Sequence, residues 1–291
     1  MPKSLMLLVD GLAVAYRAFH AIPHLSSAKG EPTNALFGFI KMVRQMEEQW
    51  HPTHRAVVFD GGLPAHRMEL WPEYKAQRDP MPEALRAQLE PINTFLQLAG
   101  WCSVRPLEEE ADDALATLAV KAAGPEMRVL IASSDKDLLQ LVTDHIQIVP
   151  PTKDGLPLDA AGVRLKFGVA PDQVVDALAL IGDAADNIPG VPGIGPKTAA
   201  QLLAQFSCLD EMWRHVERVE SERIRRLLVD HRAAVERNQS LMRLRTDLPD
   251  MPPLEQLQAR RPDYGPLVAF LEERDLNGLA RTYRETELEL F

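Results

Sequence analysis

The sequence predicts an α/β fold: a mostly parallel sheet flanked by helices, followed by a smaller helical lobe. Three observations carry that prediction. Short apolar runs alternate with helix-length amphipathic segments through the first half of the 291 residues, which is the pattern of βαβ units. From about Ala160 onward only helices and turns are found. Between two of those later helices lies Asp186 to Pro196, dense in Gly and Pro, a turn signal. The expected division is an α/β core over 1–165 and a helical lobe with a C-terminal tail over 166–291.

Residues 5–9 are a short apolar run and read as a buried strand. A helical stretch follows through Tyr16 and His20. Residues 34–49 place Leu36, Phe39, Ile40, Val43 and Met46 at helical spacing. A second strand covers 55–59. A helix over 83–98 starts just after Pro82, where proline is tolerated. Residues 102–104 make a short strand, and 111–123 a helix closed by Gly124-Pro125. Strands over 128–132 and 146–149 flank a short helix at 136–142. The second half reads as helices over 172–181, 197–206, 207–215, 221–230 and 233–244, with one more near 267–274. There is no internal repeat of the solenoid type.

Hydrophobic residues make up 46% and charged residues 25%, an ordinary globular balance that excludes a disordered chain. No apolar run approaches the ~20 residues of a membrane helix. The first one stops at Asp10, too short for a secretory signal. A soluble, cytoplasmic chain is expected. Cys102 and Cys208 are the only cysteines, which excludes a disulfide framework or a cysteine-built zinc site; both are expected as reduced thiols.

The chain has 32 Lys+Arg against 42 Asp+Glu, a net charge of −10. Spread evenly, that charge would repel nucleic acid. The acids are not spread evenly. Three strand candidates each run into aspartate: Val9 into Asp10, Phe59 into Asp60, and residues 131–134 into Asp135, with Asp137 two further on. The carboxyl ends of parallel strands share one edge, so these side chains should converge. Any one of them alone would be read as a turn or a helix cap. Glu110, Asp112 and Asp113 open a helix whose next residues are apolar, which places acids near a buried face and calls for neutralisation. Asp183 and Asp186 follow an apolar helix at a spacing of three. Nine oxygen donors without His or Cys nearby select Mg²⁺ or Mn²⁺ rather than zinc. Subtracting those nine from the 42 acids leaves 33 against 32 bases, so the remaining surface is nearly neutral and DNA is not excluded. A pair of such metals suits phosphodiester hydrolysis. No Ser-His-Asp arrangement and no Walker-type loop is evident.

Residues 188–198 form the most specific element. Gly190, Gly193 and Gly195 permit close approach of backbone, and Pro196 suits a first helical turn. The expected hairpin offers backbone N–H groups, Lys197 and Thr198 to a DNA phosphate. Residues 67–78 mix bases (Arg67, Lys75, Arg78) with Trp71 and Tyr74, which suits a strand with stacking bases.

These residues resemble the 5′-nuclease (flap endonuclease) family, and most closely its bacterial 5′-3′ exonuclease branch. The resemblance runs over nearly the whole chain through "LLVDG", "YRAFHA", "GEPTNALFGF", "VVFD", "YKAQR", "EADD", "SSDKDLLQLV", "GDAADNIPGVPGIGPKTA" and "FLEERDLNGL". It implies a PIN-like core, a helical arch over the active site, and a helix-three-turn-helix motif over about 174–205 that grips duplex DNA and usually holds a potassium ion. It places the nine acids on the family's two-metal ligands, Lys75 and Arg78 where the arch base steers the scissile phosphate, and Arg17 and Tyr74 at substrate-contacting positions. The activity implied is cleavage of 5′ flaps and 5′ ends of branched or nicked DNA by a monomer. Ala185 stands where serine is common, Ser133-Ser134 replaces a more usual Thr-Gly or Thr-Ala, and residues 61–64 make a less basic approach to the arch. Two other readings stay open at this point: a DNA-binding scaffold without turnover, and an RNA-cleaving PIN-type enzyme.

Overall fold

Five short strands, apolar on both faces, form the centre of the chain. The computed structural model describes residues 4–152 and 155–288. The strands are β1 (Ser4–Asp10), β2 (His54–Val58), β3 (Cys102–Val104), β4 (Met127–Ala132) and β5 (Ile146–Val149). They pair in parallel in the order β3-β2-β1-β4-β5. A parallel sheet is covered on both sides, which is why its strands read as apolar runs rather than as alternation.

The helices of the first half are α1 (Gly11–Ala21), α2 (Asn34–Trp50), α3 (Ala65–Leu70), α4 (Glu83–Leu98) and α5 (Ala111–Ala122). Then come α6 (Ala160–Phe167), α7 (Val174–Ile181), a two-residue pair β6 (Gly182–Asp183) and β7 (Ile188–Pro189), α8 (Pro196–Phe206), α9 (Leu209–Arg214), α10 (Glu222–Asp230), α11 (Arg232–Met242), α12 (Tyr264–Glu272) and α13 (Asn277–Leu288). Alternate residues of each strand serve opposite layers. Met6, Leu8, Ala56, Val58, Val129 and Ile131 pack with α5 and with Val174 and Leu178 of α7. Leu7, Val9, Val57, Leu130 and Ala132 pack with α1, α2 and α4. A third cluster, including Leu180, Val191, Ile194, Leu202, Phe206, Met212 and Leu228, is the core of the helical lobe.

Three features differ from the sequence reading. The second half contains strand pairing after all, the antiparallel β6–β7 bridge, too short for any periodicity to reveal. Helices α6 and α13 were not anticipated: α6 carries one buried residue, Val163, and α13 is mostly polar. The segment from Tyr264 onward returns to the α/β core, where Leu267, Leu271, Leu276, Ala280 and Tyr283 join Phe39 and Phe95. Buried Arg55 of β2 fastens the approach to that segment, donating to Ala99 O at 2.9 Å and Arg260 O at 2.6 Å. Among the described residues no helix is long and apolar enough to cross a membrane, and Cys102 and Cys208 are both unpaired thiols.

Candidate active site

Strand register brings the first aspartates together. Asp10 lies opposite Val58, and Val9 opposite Ala132, so Asp10, Asp60 and the 133–135 turn leave the sheet at one edge. The chain departs to opposite sides of β1, first to β2 and later to β4. That reversal creates the crevice in which open α/β sheets bind ligands. Asp10 ends β1 and caps α1: one oxygen accepts from Ala13 N at 3.0 Å, the other from Ser133 Oγ at 2.9 Å. Burial pushes its carboxyl up to about 6, these two hydrogen bonds oppose the rise, and Asp60 and Asp135 add to it.

Asp60 Oδ1 accepts from Ala111 N at 2.7 Å, satisfying a first-turn amide of α5 and fixing the helix that carries Asp112. The Asp112 carboxylate makes no hydrogen bond to any described residue. Burial, then Asp135 and Asp10, hold its carboxyl well above the usual range, with Lys75 giving partial relief. Asp135 is exposed and accepts from Asp137 N at 2.8 Å. Asp137 is likewise pushed well up, by burial first and then by Asp135.

The second lobe supplies the remaining acids. At the end of α7 the chain turns through Gly182 at φ +81°; a Cβ there would lie 2.3 Å from Gly190 N. A side chain at Gly190 would in turn strike Ile181 O at 2.0 Å. The two glycines let β6 and β7 touch backbone to backbone, so that β6 presents Asp183 and the loop after it Asp186. Asp137, Asp183 and Asp186 each offer an oxygen, all within 4.8 Å of one another. Asp137 Oδ1 is buried with no partner. An orphaned buried carboxylate oxygen beside two more carboxylates fits a divalent cation with oxygen ligands.

Residues 71–78 are stitched to this loop. Trp71 Nε1 donates to Asn187 O at 2.8 Å, Asn187 Nδ2 to Glu73 O at 2.8 Å, Lys75 N to Asp186 O at 3.0 Å, and Gln77 Nε2 to Ala184 O at 2.7 Å. Lys75 and Asn187 both take left-handed backbone, φ 55° and 58°, which costs on the order of 1–3 kcal/mol each and persists only where surroundings enforce it. Lys75 Nζ pairs with Glu110 and lies 3.8 Å from Asp186. Burial opposes its charge, but Glu110 and Asp186 raise its pKa overall. Arg78 pairs with Asp186 at 2.6 Å, and Lys136 with Asp183 at 2.7 Å.

The structure thus gathers Asp10, Asp60, Asp112 and Asp135 in one group and Asp137, Asp183 and Asp186 in a second, joined through the Asp135–Asp137 contact. The Glu110 and Lys75 side chains are buried beside the second group, and Arg78 stands at its rim. Other expectations are corrected. Asp113 points inward: adjacent helical residues diverge by ~100°, and its oxygens accept from Arg67 at 2.6 and 2.9 Å and from Arg245 N at 2.8 Å. Arg67 is 2% exposed and cannot meet DNA. It also binds Glu110 at 2.6 Å and Leu241 O at 2.9 Å. Tyr74 is 3% exposed, its hydroxyl 3.0 Å from Glu110 and 3.1 Å from Asp186. Burial, then those two carboxylates, push the phenol far above its ordinary value, so it is a structural donor rather than a stacking surface. Gly190 is absorbed by the β6–β7 contact.

The hairpin itself is outward. Gly193 takes φ +83°, Gly195 caps α8, and Lys197 is exposed with Thr198 beside it. The first-turn amides of α8 have no helical acceptor. Arg223 of α10 stands over this turn; a methyl group on Gly193 would lie 3.1 Å from its Nη2. Arg17 is exposed on α1, about two turns past Asp10. The sequence reading passed over Lys136, Arg223 and Arg237; only the basic pattern of 222–226 could have flagged one of them.

Comparison with known proteins places this geometry in a class of 5′-3′ exonuclease folds. Residues 5–168 match a family described as 5′-3′ exonuclease, N-terminal resolvase-like domain. Residues 169–265 match 5′-3′ exonuclease, C-terminal SAM fold. The chain belongs to the 5′-3′ exonuclease family. It is 36% identical over 274 residues to a 5′-3′ exonuclease of Aquifex aeolicus, covering 94% of this chain and 93% of that protein. It is 38% identical over 283 residues to the thermostable DNA polymerase I of Thermus thermophilus, covering 97% of this chain but 33% of that protein; the chain spans about a third of such polymerases. Among solved structures, T5 5′-exonuclease with bound divalent metal ions (zinc) superposes with a TM-score of 0.67 at 22% identity, over 82% of this chain and 89% of that one. The catalytic core of Rad2 in complex with DNA substrate gives 0.63 at 18% identity, over 100% and 92%.

Proposed function

We propose that this chain is a structure-specific 5′-nuclease that hydrolyses phosphodiester bonds of 5′ flaps and 5′ ends of branched or nicked DNA with two Mg²⁺ or Mn²⁺ ions, as a cytoplasmic monomer. The observation that carries the reading is the convergence of Asp137, Asp183 and Asp186, with Asp137 Oδ1 buried and unpartnered, beside the hydrogen-bond-free Asp112. The residues that would hold the cations are Asp10, Asp60, Asp112 and Asp135 in one group and Asp137, Asp183 and Asp186 in the other, with Glu110 linked to the second through Tyr74 and Lys75. Bound divalent ions would supply the charge that activates water and neutralises the leaving oxygen.

The chain's own residues do the rest. Ser133 and Ala13 N orient Asp10, and Asp60 holds α5 so that Asp112 faces the crevice. Lys75 and Arg78, already drawn to the carboxylates, offer positive charge to an incoming scissile phosphate. Arg17 is placed for the strand beyond it. Gly193, Gly195, Lys197 and Thr198 grip duplex backbone without reading sequence, and a potassium ion held by hairpin carbonyls belongs to the same reading. The DNA in the Rad2 neighbour and the name of the Aquifex relative support the substrate class.

The test is product mapping on a 5′-end-labelled flap with and without divalent metal, with an RNA flap alongside. Metal-dependent cleavage near the flap junction of DNA is expected. Binding without cutting would favour a scaffold, and preferential cutting of RNA would favour the other enzyme class.

A further inference from the structure

Most basic side chains around the carboxylates have an acid of their own: Lys75, Arg78 and Lys136 as above, Arg67 with Glu110 and Asp113, and Arg245 with Glu109. Arg237 of α11 does not. Its guanidinium lies 4.0 Å from the centroid of the Trp71 ring. Of its five N–H donors, one is used, to Asn238 Oδ1 at 3.1 Å. Its Nε is buried without a partner, and no ion pair joins it to an acid among the described residues. Burial with no compensating carboxylate lowers its pKa.

The position of this charge is fixed relative to the site. Asn238, next along α11, is 1% exposed and donates to Ala179 O at 3.1 Å and Pro189 O at 2.8 Å. Those carbonyls bracket the loop that bears Asp183 and Asp186. On its other side Arg237 rests on Trp71, whose indole N–H is bonded to Asn187, the residue after Asp186. The guanidinium is therefore seated on one segment that frames the carboxylates and bonded to the residue that grips the other.

We infer that Arg237 is a further phosphate-contacting residue, which takes a backbone phosphate of the DNA between the hairpin and the carboxylate cluster. An arginine stacked on indole keeps a planar, weakly hydrated fork matched to two phosphate oxygens, and stacking restrains the rotamers that binding must order. This rests on the nuclease reading and deepens it.

The experiment measures equilibrium binding of a 5′-flap duplex in EDTA over a range of salt for the parent, Arg237→Gln and Arg232→Gln. Arg232 is the control, since it lies on the same helix and is already paired with Glu236 at 2.8 Å. Arg237→Gln is expected to bind about tenfold more weakly, with the slope of log K against log salt reduced by about 0.9, and Arg232→Gln to match the parent. A methylphosphonate scan of the flap substrate then finds one phosphate whose neutralisation weakens the parent and adds nothing in Arg237→Gln. Unchanged affinity, an unchanged slope, or a scan on the parent without any sensitive phosphate near the junction overturns the inference. If Arg237→Gln melts early, Arg237→Lys replaces it in the scan: a retained slope with lost bidentate affinity supports the contact, and parental affinity refutes it. A parent that neither binds nor cuts DNA sinks the nuclease reading itself; a competent parent with an indifferent Arg237 sinks only this inference.

Discussion

Arg67 grasps Asp113 with two parallel hydrogen bonds, at 2.6 and 2.9 Å, in a pocket where neither residue is more than 2% exposed. The same guanidinium reaches Glu110 and the carbonyl of Leu241. One side chain thus joins α3, the start of α5 and the end of α11. Burial opposes its charge, and the Asp113 and Glu110 partners raise its pKa overall.

Removing one half of such a pair leaves an unpaired buried charge. Arg67→Ala or Asp113→Ala is expected to lower stability by about 3–5 kcal/mol, measured by denaturant unfolding. Arg67→Lys is not expected to rescue it, because lysine lacks the planar fork. Where a folded Arg67 variant can be obtained, the salt dependence of its DNA binding should match the parent. A slope reduced by one would show Arg67 at a phosphate.

Asp112→Asn separates stability from chemistry. Its carboxylate has no hydrogen bond to lose and its charge faces Asp135 and Asp10, so the variant should be at least as stable as the parent without metal. Flap cleavage in Mg²⁺ should fall by about 10²-fold or more, the scale of losing one charge-stabilising group. Calorimetric scans and single-turnover rates test both halves.

Asp10 gives a pH signature in EDTA. Its folded pKa of about 6 exceeds the ordinary 3.8, so the folded state binds the proton more tightly than the unfolded chain does. Stability from this group is full below about pH 4 and declines as pH rises through 6. Above that the ionised carboxylate costs up to about 3 kcal/mol. Asp10→Asn, which still caps α1, should therefore be more stable than the parent at pH 8, with the gap closing by pH 4. A gap that does not change with pH would contradict the assignment.

Gly182→Ala should be among the costliest single-methyl changes in the helical lobe. The position combines φ +81° with a Cβ contact of 2.3 Å to Gly190 N, and a loss of about 2 kcal/mol or more is expected. Because the β6–β7 bridge presents Asp183 and Asp186, Mn²⁺ binding by calorimetry should weaken along with stability.

Most of the carboxylate site was legible because parallel topology is unforgiving: once 5–9, 55–59 and 128–132 are strands of one sheet, the residues that follow them meet. The division between Asp112 and Asp113 was not. It depends on which face of α5 packs against the sheet, and both residues have the composition of a first-turn acid. Arg67 was misread because its partners lie 46 and 174 residues away, and a basic residue in an aromatic-rich segment looks like surface until those partners are seen. Separations of 107 to 116 residues likewise hid the 71–78 contacts with 184–187.

The return of α12 and α13 to the α/β core adds a mooring for the helical lobe to those made by α7 and α11. The lobe leaves the core after β5 and is gathered back by a segment lodged against Phe39 and Phe95, so any swing of the hairpin strains several attachments at once. On the proposed function, duplex seated on the hairpin would be kept in step with the aspartates below, and loosening Leu267 or Leu271, remote from every charged group discussed, should blur the position of the cut before it abolishes cutting.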